Sequence, residues 1–508
     1  MTLVQNPVTL TASYGLPGAT VLTGTVAPVV TLAPVGTSSG TWSWTYPGGI
    51  PDGIYYVYIT ATDTVTSLQG QAVFRLKVGG PDDGSDVGDP HIRTVDGKSY
   101  DFQAVGEFTL LRDRENGLEI QARQTPLETA NPITDNYTGL TSSVSVNTAV
   151  AARVGSHQIS YQPNGVGANS HLQFFLDGKP SRLSTAGIDL DGHRVSAFDA
   201  NGETGLRVDY AHGAVLIASP RFWNLWFLDI WVSHTHADEG IMGSIPEETW
   251  LPTLPNGATV GPMPESPSER YITLYKTFAD AWRVTDKASL FIYARGTSTE
   301  TFTDRDWPAE QPPSILKPQF EIPGFTPPVG LPIPEAEEIC KDVTIGDLHA
   351  NCVFDVATTG DEGFAKAYLL QQDLRLHSSS VQILGDKEET RPGEPLVVTA
   401  TVLPLTSGRP TPTGSVTFFV DGVAASPPIE LNEKGQAQIT LDRLDSGVHK
   451  IRASYTSEPG QDGYHPSSSP NLLHTVERGA CRRGYPWRII WILVILFLIA
   501  IVAYWYFS

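Results

Sequence analysis

The chain has 508 residues and a formal net charge of −21, with 34 Lys and Arg against 55 Asp and Glu. That length suits about three domains at roughly 150 residues each, and that charge repels phosphate backbones, which argues against nucleic acid as a partner. The 47 Gly and 39 Pro mark a turn-rich, mainly β chain, and the 3 Cys are too few for a disulfide scaffold.

Residues 1–80 read as a small β-sandwich. Trp42-Ser43-Trp44-Thr45-Tyr46 alternates with period two, as do Ala72, Phe74, Leu76 and Val78 against Val73, Arg75 and Lys77. Pro51-Asp52-Gly53 turns into Ile54 to Ile59 and Thr60-Ala61-Thr62-Asp63, a pattern that resembles the strand pair of bacterial immunoglobulin-like adhesin repeats. Gly79-Gly80-Pro81-Asp82-Asp83-Gly84-Ser85-Asp86 reads as a linker, and the carboxylates of Asp82, Asp83, Asp86 and Asp89 as solvated.

Gly88-Asp89-Pro90-His91 comes next, with an Asp96-Gly97 turn signal, Tyr100 and Phe102 on one strand face, and a third run from Phe108 to Leu111 after Gly106. Locally this reads as a small antiparallel meander. The order GDPH, DGxxYDF, GEFTLL resembles the opening of von Willebrand factor type D domains. Thr277-Phe278-Ala279-Asp280-Ala281-Trp282-Arg283-Val284 looks like the late F…W.V element, and Cys352-Val353-Phe354-Asp355-Val356-Ala357-Thr358-Thr359-Gly360-Asp361 is similar to the Cys-containing tail. The resemblance implies an interaction or scaffold module at 86–306, in a cysteine-poor variant. Where relatives carry a calcium-binding Gly-Leu-Cys-Gly-Asn loop, this chain has Gly240-Ile241-Met242-Gly243-Ser244-Ile245-Pro246, without acidic or amide oxygens, so the calcium site is not carried over.

Strands are expected at Leu118 to Arg123, Ser143 to Val146, Leu172 to Leu176 and Leu206 to Tyr210. Phe222-Trp223-Asn224-Leu225-Trp226-Phe227-Leu228-Asp229-Ile230-Trp231-Val232 reads as a central strand pair with buried aromatics. Two sites of chemistry stand out here. At Asp89-Pro90 the Asp carboxyl can attack its own carbonyl carbon and expel the tertiary proline nitrogen, as in self-cleaving relatives with GDPH; otherwise His91 only hydrogen-bonds the turn. His234-x-His236-x-Asp238 has zinc-ligand spacing and resembles the first motif of metallo-β-lactamase-fold hydrolases, although Glu239 replaces a further histidine and no later histidine cluster completes the set. No cofactor is expected.

Residues 307–376 read as a Pro-rich strap and a Cys-containing tail. A short helix is expected over Phe364 to Leu370, with Asp361 as N-cap and Phe364 and Tyr368 on one face. Cys340 and Cys352 lie in a loop-like stretch; a bond between them would remove loop entropy worth ~3 kcal/mol, while two unpaired buried thiols are expected if the head is cytoplasmic. Residues 378–477 form a second sandwich, with strands at Leu396 to Val402, Val416 to Val420, Ala437 to Leu441 and His449 to Tyr455. Pro412-Thr413-Gly414-Ser415-Val416-Thr417-Phe418-Phe419-Val420-Asp421-Gly422 and Gly447-Val448-His449-Lys450-Ile451-Arg452-Ala453-Ser454-Tyr455 resemble tandem immunoglobulin-like repeats of bacterial surface proteins.

Ile489 to Phe507 carries no charge and, at ~1.5 Å per residue, crosses a hydrocarbon core about 30 Å thick, with Trp487, Tyr504, Trp505 and Tyr506 as interfacial aromatics. Arg482, Arg483 and Arg488 before the span favour a cytoplasmic head, as does the lack of a visible signal peptide, whereas the resemblance places the head outside. The expectation is a bacterial, single-pass, membrane-anchored adhesion, recognition or display protein, non-enzymatic, with a protein or glycan ligand. The rival is a metal-dependent hydrolase using His234, His236 and Asp238.

Overall fold

The computed structural model describes the strands and the 65–66 turn between Val8 and Val78, residues 82–310 apart from 128–133, 136, 141–143, 165–170, 224 and 236, and residues 330–477 apart from 407–408 and 458–462. Near the N-terminus, Gly24–Val26, Val8–Gly15, Gly53–Asp63 and Gln69–Val78 form one antiparallel sheet in that order, and Val29–Val30 pairs with Trp42–Ser43.

Residues 82–310 are built on two facing sheets. The six-stranded sheet runs Gly106–Asp113, Leu118–Pro126, Ser145–Val154, His157–Pro163, Leu172–Leu176 and Lys179–Pro180 in simple antiparallel order. The eight-stranded sheet runs Ile188–Leu190, His193–Ala200, Glu203–Asp209, Val215–Trp223, Leu225–Thr235, Asp82–Val87, His91–Arg93 and Ser99–Asp101. Ser145–Val154 packs on Leu225–Thr235, and Ile92, Phe102, Phe108, Ile120, Val150, Leu228, Ile230, Phe278 and Trp282 fill the space between. His91–Arg93 and Ser99–Asp101 do pair across the Asp96-Gly97 turn. Gly106–Asp113, however, belongs to the opposite sheet, so the local meander is broken. The chain changes sheets at Gly106, whose φ of 147° is open to glycine but strained for other residues.

The expected linker needs a larger correction. Asp82–Val87 is a strand in the interior of the eight-stranded sheet, and Asp86 and Asp89 are fully buried rather than solvated. Its polar side chains are tolerated because distant groups meet them. Ser233 Oγ donates to Asp83 Oδ1 at 2.9 Å, Arg375 Nη2 to Ser85 Oγ at 2.9 Å, and Gln124 Nε2 reaches Asp86 Oδ2 at 3.5 Å.

Val215–Trp223 and Leu225–Thr235 form the aromatic hairpin. Phe227 and Trp231 are buried, Trp282 likewise, Trp226 is half-buried and Phe222 is 55% exposed; the Trp223 side chain lies outside the described residues. The run is apolar on both faces because both are covered. Leu228 and Ile230 face the six-stranded sheet, while Phe227 meets the helical tail.

That tail is helical where a strap and loop were expected. Ile333–Ile339, Gly346–Thr359 and Gly363–His377 pack Ala336, Leu348, Val356, Phe364 and Tyr368 on Val87, Val144, Val146 and Phe227. Pro332 and Pro334 fall at the N-cap and in the first turn of Ile333–Ile339, where a missing N–H costs nothing, so they start a helix rather than exclude one. Residues 311–329 of the proposed strap lie outside the described residues. Glu362, not Asp361, is the N-cap; Asp361, one residue earlier, accepts from Gly363 N at 2.8 Å through Oδ1, and the helix runs on to His377, past its expected end at Leu370.

Residues 379–477 pair Ser379–Gly385, Leu396–Pro404 and Gln436–Leu441 in one sheet. Glu389–Thr390, Leu472–Val476, Gly447–Thr456, Ser415–Val420 and Val423–Ala424 form the other. Val398, Ala400, Val416, Phe418, Ile451, Ala453 and Tyr455 form the core between them. Asp421 (φ 50°) and Gly422 (φ 82°) make the two-residue turn that closes Ser415–Val420 on Val423–Ala424. Among the described residues no helix is long and apolar enough to cross a membrane; the expected span at 489–507 lies outside them.

Candidate functional site around Asp89 and His91

The turn Gly88-Asp89-Pro90 joins Asp82–Val87 to His91–Arg93 and is buried against the two longer helices of the tail. Gly88 has φ 69°, and a Cβ there would overlap Asp355 Oδ2 and the Tyr368 hydroxyl, so glycine is required both by conformation and by approach. Its N–H donates to Asp229 Oδ1 at 2.9 Å. Asp229 comes from the helix-facing side of Leu225–Thr235, the same side as Phe227.

His91 is gripped from both ring nitrogens. Nδ1 lies 2.6 Å from Asp101 Oδ1, on the paired strand, and Nε2 lies 3.0 Å from Asp355 Oδ1, on Gly346–Thr359. Nε2 also stands 2.7 Å from Asp89 Oδ1, an ion contact rather than an aligned hydrogen bond, and both Asp89 oxygens lack an aligned hydrogen-bond partner. The Tyr368 hydroxyl donates to Asp355 Oδ2 at 2.7 Å, and the Phe354 ring meets the imidazole edge-on at 5.5 Å.

Three carboxylates thus share one imidazole out of water, and the proton equilibria respond. Burial pulls the His91 pKa down, but Asp101, Asp89 and Asp355 together outweigh it and hold the ring protonated well above its usual range. Burial, reinforced by Asp355, pushes the Asp89 carboxyl well up. Burial lifts Asp101 to about 6, against the pull of His91. Nearby, burial raises Asp229 to about 6 and Asp86 to about 7. Asp89 and His91 therefore both hold their protons more tightly than free side chains do, within 2.7 Å of each other.

By residue type Asp89, His91 and Asp355 could hold a cation, since their ligand atoms lie within 4.8 Å of one another and Asp101 orients the ring as a second-layer carboxylate does. The spacings of 2.7 and 3.0 Å fit shared protons better, because ligands about 2.0–2.1 Å from zinc or magnesium stand roughly 3 Å or more apart. Beside the cluster lies a cavity of about 590 Å³ lined by Arg221, Phe222, Asp229, Lys366 and Leu370; Asp229 is the group the two share.

The His234, His236 and Asp238 set is placed elsewhere. His234 sits at φ 53° where Leu225–Thr235 slips register, and its Nε2 meets the Pro404 carbonyl at 2.9 Å. His236 lies outside the described residues, and His234 and Asp238 join none of the three-ligand clusters among the described ones.

Cys340 and Cys352 are joined, with Cα atoms 6.0 Å apart. The bond ties the end of Ile333–Ile339 to Gly346–Thr359, one turn before Asp355. Protein recovered without reductant should therefore yield no alkylated Cys340 or Cys352, and reduction should cost about 3 kcal/mol of unfolding free energy. Free thiols in unreduced protein would count against this.

The sequence singles out Gly88, Asp89, Pro90 and His91 but not Asp101, Asp229, Asp355 and Tyr368 as their partners. Asp101 and Asp355 both lie inside the stretches on which the type D resemblance was read, and that was the available signal.

Residues 384–477 match the family model described as bacterial Ig-like domain (group 3). Human Sushi domain-containing protein 2 is 30% identical over 283 residues, covering 54% of this chain and 30% of the relative, so the match spans under a third of that protein. Trypsin-activated alpha-2-macroglobulin from Escherichia coli aligns over 94% of this chain and 40% of its own at 11% identity and a TM-score of 0.16. A Salmonella alpha-2-macroglobulin mutant aligns over 94% and 38% at 10% identity and 0.18. Scores that low carry no argument about the fold. The chain is thus a mainly β, multidomain protein whose residues 384–477 match the model of a bacterial Ig-like domain and fold as two packed sheets.

Proposed function

We propose that this chain is a membrane-anchored recognition or display protein, without enzymatic action on other molecules. The observation that carries this is the seclusion of its titratable cluster. Asp89 and Asp355 are 0% exposed and His91 4%, so their chemistry is offered to the chain's own backbone rather than to an incoming substrate. The Ig-like domain, the type D-like motifs of residues 86–306 and a disulfide suited to oxidising compartments support an exported head. The apolar segment 489–507 supports its anchorage, and a protein or glycan is the ligand class. In intact cells the head should be digested by added protease; full protection would place it inside. Stoichiometric zinc on the mildly purified chain would instead favour a hydrolase using His234, His236 and Asp238.

A second reading rests on the Asp89 contacts: the Asp89-Pro90 bond cleaves itself. Asp355, against the same imidazole, takes the Asp89 carboxyl proton, and an Asp89 Oδ attacks the Asp89 carbonyl carbon. The bond to the Pro90 nitrogen breaks and that nitrogen takes up a proton, for which the His91 imidazolium is the adjacent source. Water opens the resulting cyclic anhydride to the two carboxyls of Asp89, so the net change is hydrolysis. Incubation at mildly acidic pH should yield two masses that meet at Asp89-Pro90. Asp89→Asn should slow the reaction, because an amide does not readily form the anhydride. A single intact mass, the same as that of the Asn variant, would leave the turn purely structural.

A further inference from the structure

Cleavage at Asp89-Pro90 raises the question of what then holds the N-terminal piece. Residues 1–89 contain no cysteine, so no disulfide can retain them, and the sequence suggests attachment through surface contacts alone. Asp82–Val87 changes that. It is hydrogen-bonded on both sides, to Leu225–Thr235 through Asp86↔Ile230, Ser85↔Trp231 and Gly84↔Val232, and to His91–Arg93 through Ser85↔Arg93, Asp86↔Ile92 and Val87↔His91.

From this we infer that residues 1–89 stay bound after scission as a strand-donating subunit, Asp82–Val87 completing the sheet of the other fragment. The inference rests on the self-cleavage reading for its setting, but its physics does not depend on how the chain is cut.

Withdrawal of this strand would leave two facing rows of unpaired N–H and C=O groups inside a sheet, a costly state. It would also pull Val87 from its cluster with Phe227 and Tyr368, and empty the space beside Met242 into which Gly84 fits so closely that a Cβ would collide. Side-chain anchors add to the ladder. Arg93 Nη1 donates to the Asp83 carbonyl at 2.8 Å and Ser233 to the Asp83 carboxylate, while Arg375 holds Ser85. All of these partners lie after Pro90, so each is an inter-fragment contact once the bond is cut. Scission would thus convert a covalent attachment into a β-strand attachment, and the N-terminal sheet would remain displayed until the remainder unfolds.

The test uses the full chain. After acid incubation, a denaturing gel reads scission and native size-exclusion chromatography reads retention. Two bands on the gel with complete co-elution in native buffer are expected, with separation only in denaturant. An N-terminal fragment that elutes alone in native buffer overturns the inference. Should Asp89-Pro90 stay intact, the self-cleavage reading fails by itself. Retention is then read on a variant with a protease site inserted between the exposed Gly97 and Lys98, whose N-terminal product also carries Asp82–Val87. After that cut the His91–Arg93 ladder and the Arg93 anchor lie within the N-terminal product, so co-elution upholds donation of the pair Asp82–Val87 and His91–Arg93 to Leu225–Thr235 and Ser99–Asp101, and separation overturns it.

Discussion

His91→Ala is expected to lower the stability of the body that holds it by about 3–5 kcal/mol, the range for breaking a buried ion pair by removing one partner. The deleted ring is the positive group in contact with Asp89, Asp101 and Asp355, all buried. The effect should depend on pH. Burial lowers the folded-state pKa of His91, but the three carboxylates raise it by more, so it ends above the unfolded value. A group raised in this way contributes fully below its unfolded pKa of about 6.5 and loses that contribution as pH rises through the folded pKa. At the acid end the variant should partly recover as Asp101, lifted to about 6 by burial, takes up its own proton. The gap between wild type and variant should therefore be widest near neutrality and shrink towards alkaline pH. His91→Gln keeps hydrogen-bonding groups without the charge and should recover part of the midpoint but none of the pH dependence. Denaturant midpoints across that range check both, and an unchanged midpoint for the Ala variant would show that the cluster contributes no net stability.

Trp282→Ala should cost a similar ~3–5 kcal/mol, here from lost packing and the cavity left behind. Trp282 is 2% exposed in the main core. Its indole N–H donates to the Thr253 carbonyl at 3.2 Å, and the Arg112 guanidinium lies 5.6 Å from the ring centroid. Its place comes from the helical run Pro267–Tyr271, Ile272–Phe278, Ala279–Trp282, which presents Leu274, Tyr275, Phe278 and Trp282 to the sheets before Arg283 bridges to Phe108. Trp282→Phe should lose far less, mainly the hydrogen bond, worth about 1 kcal/mol. A thermal or urea midpoint that Trp282→Ala leaves unmoved would mean that the F…W.V element has been assigned the wrong role.

Much of the fold is local enough to be read in the sequence. The period-two strands of residues 379–477, with the Asp421-Gly422 turn, need only near neighbours to define them, because alternation and positive-φ turn residues are properties of a few consecutive positions. Leu118–Pro126, Leu172–Leu176 and the hairpin through Phe227 and Trp231 were legible for the same reason. Asp82–Val87 was not. Asp-Asp-Gly-Ser-Asp has the composition of a linker, and it becomes an interior strand only because Ser233, Arg375, Gln124 and Arg93 arrive from elsewhere to meet its polar groups. The helix Ile333–Ile339 was hidden by prolines, which stop a helix in its middle but begin one at its end, whereas the helix from Gly363 was legible in part, over Phe364 to Leu370.

The candidate site divides along the same line. The residues Gly88, Asp89, Pro90 and His91, the glycine that allows the turn and the acid next to a proline are all properties of the sequence itself. That the pKa values of His91 and Asp89 would both be raised was decided by the tertiary structure alone. Burial and Asp355 raise Asp89, while Asp101, Asp89 and Asp355 outweigh burial to raise His91, and the histidine–Asp355 contact spans 264 positions of chain. Proton affinity follows the solvent and charge around a group, and both are set by whatever folding brings there. The strand ladder that would retain a cleaved N-terminus has the same origin, since its hydrogen bonds join segments whose adjacency no local pattern encodes.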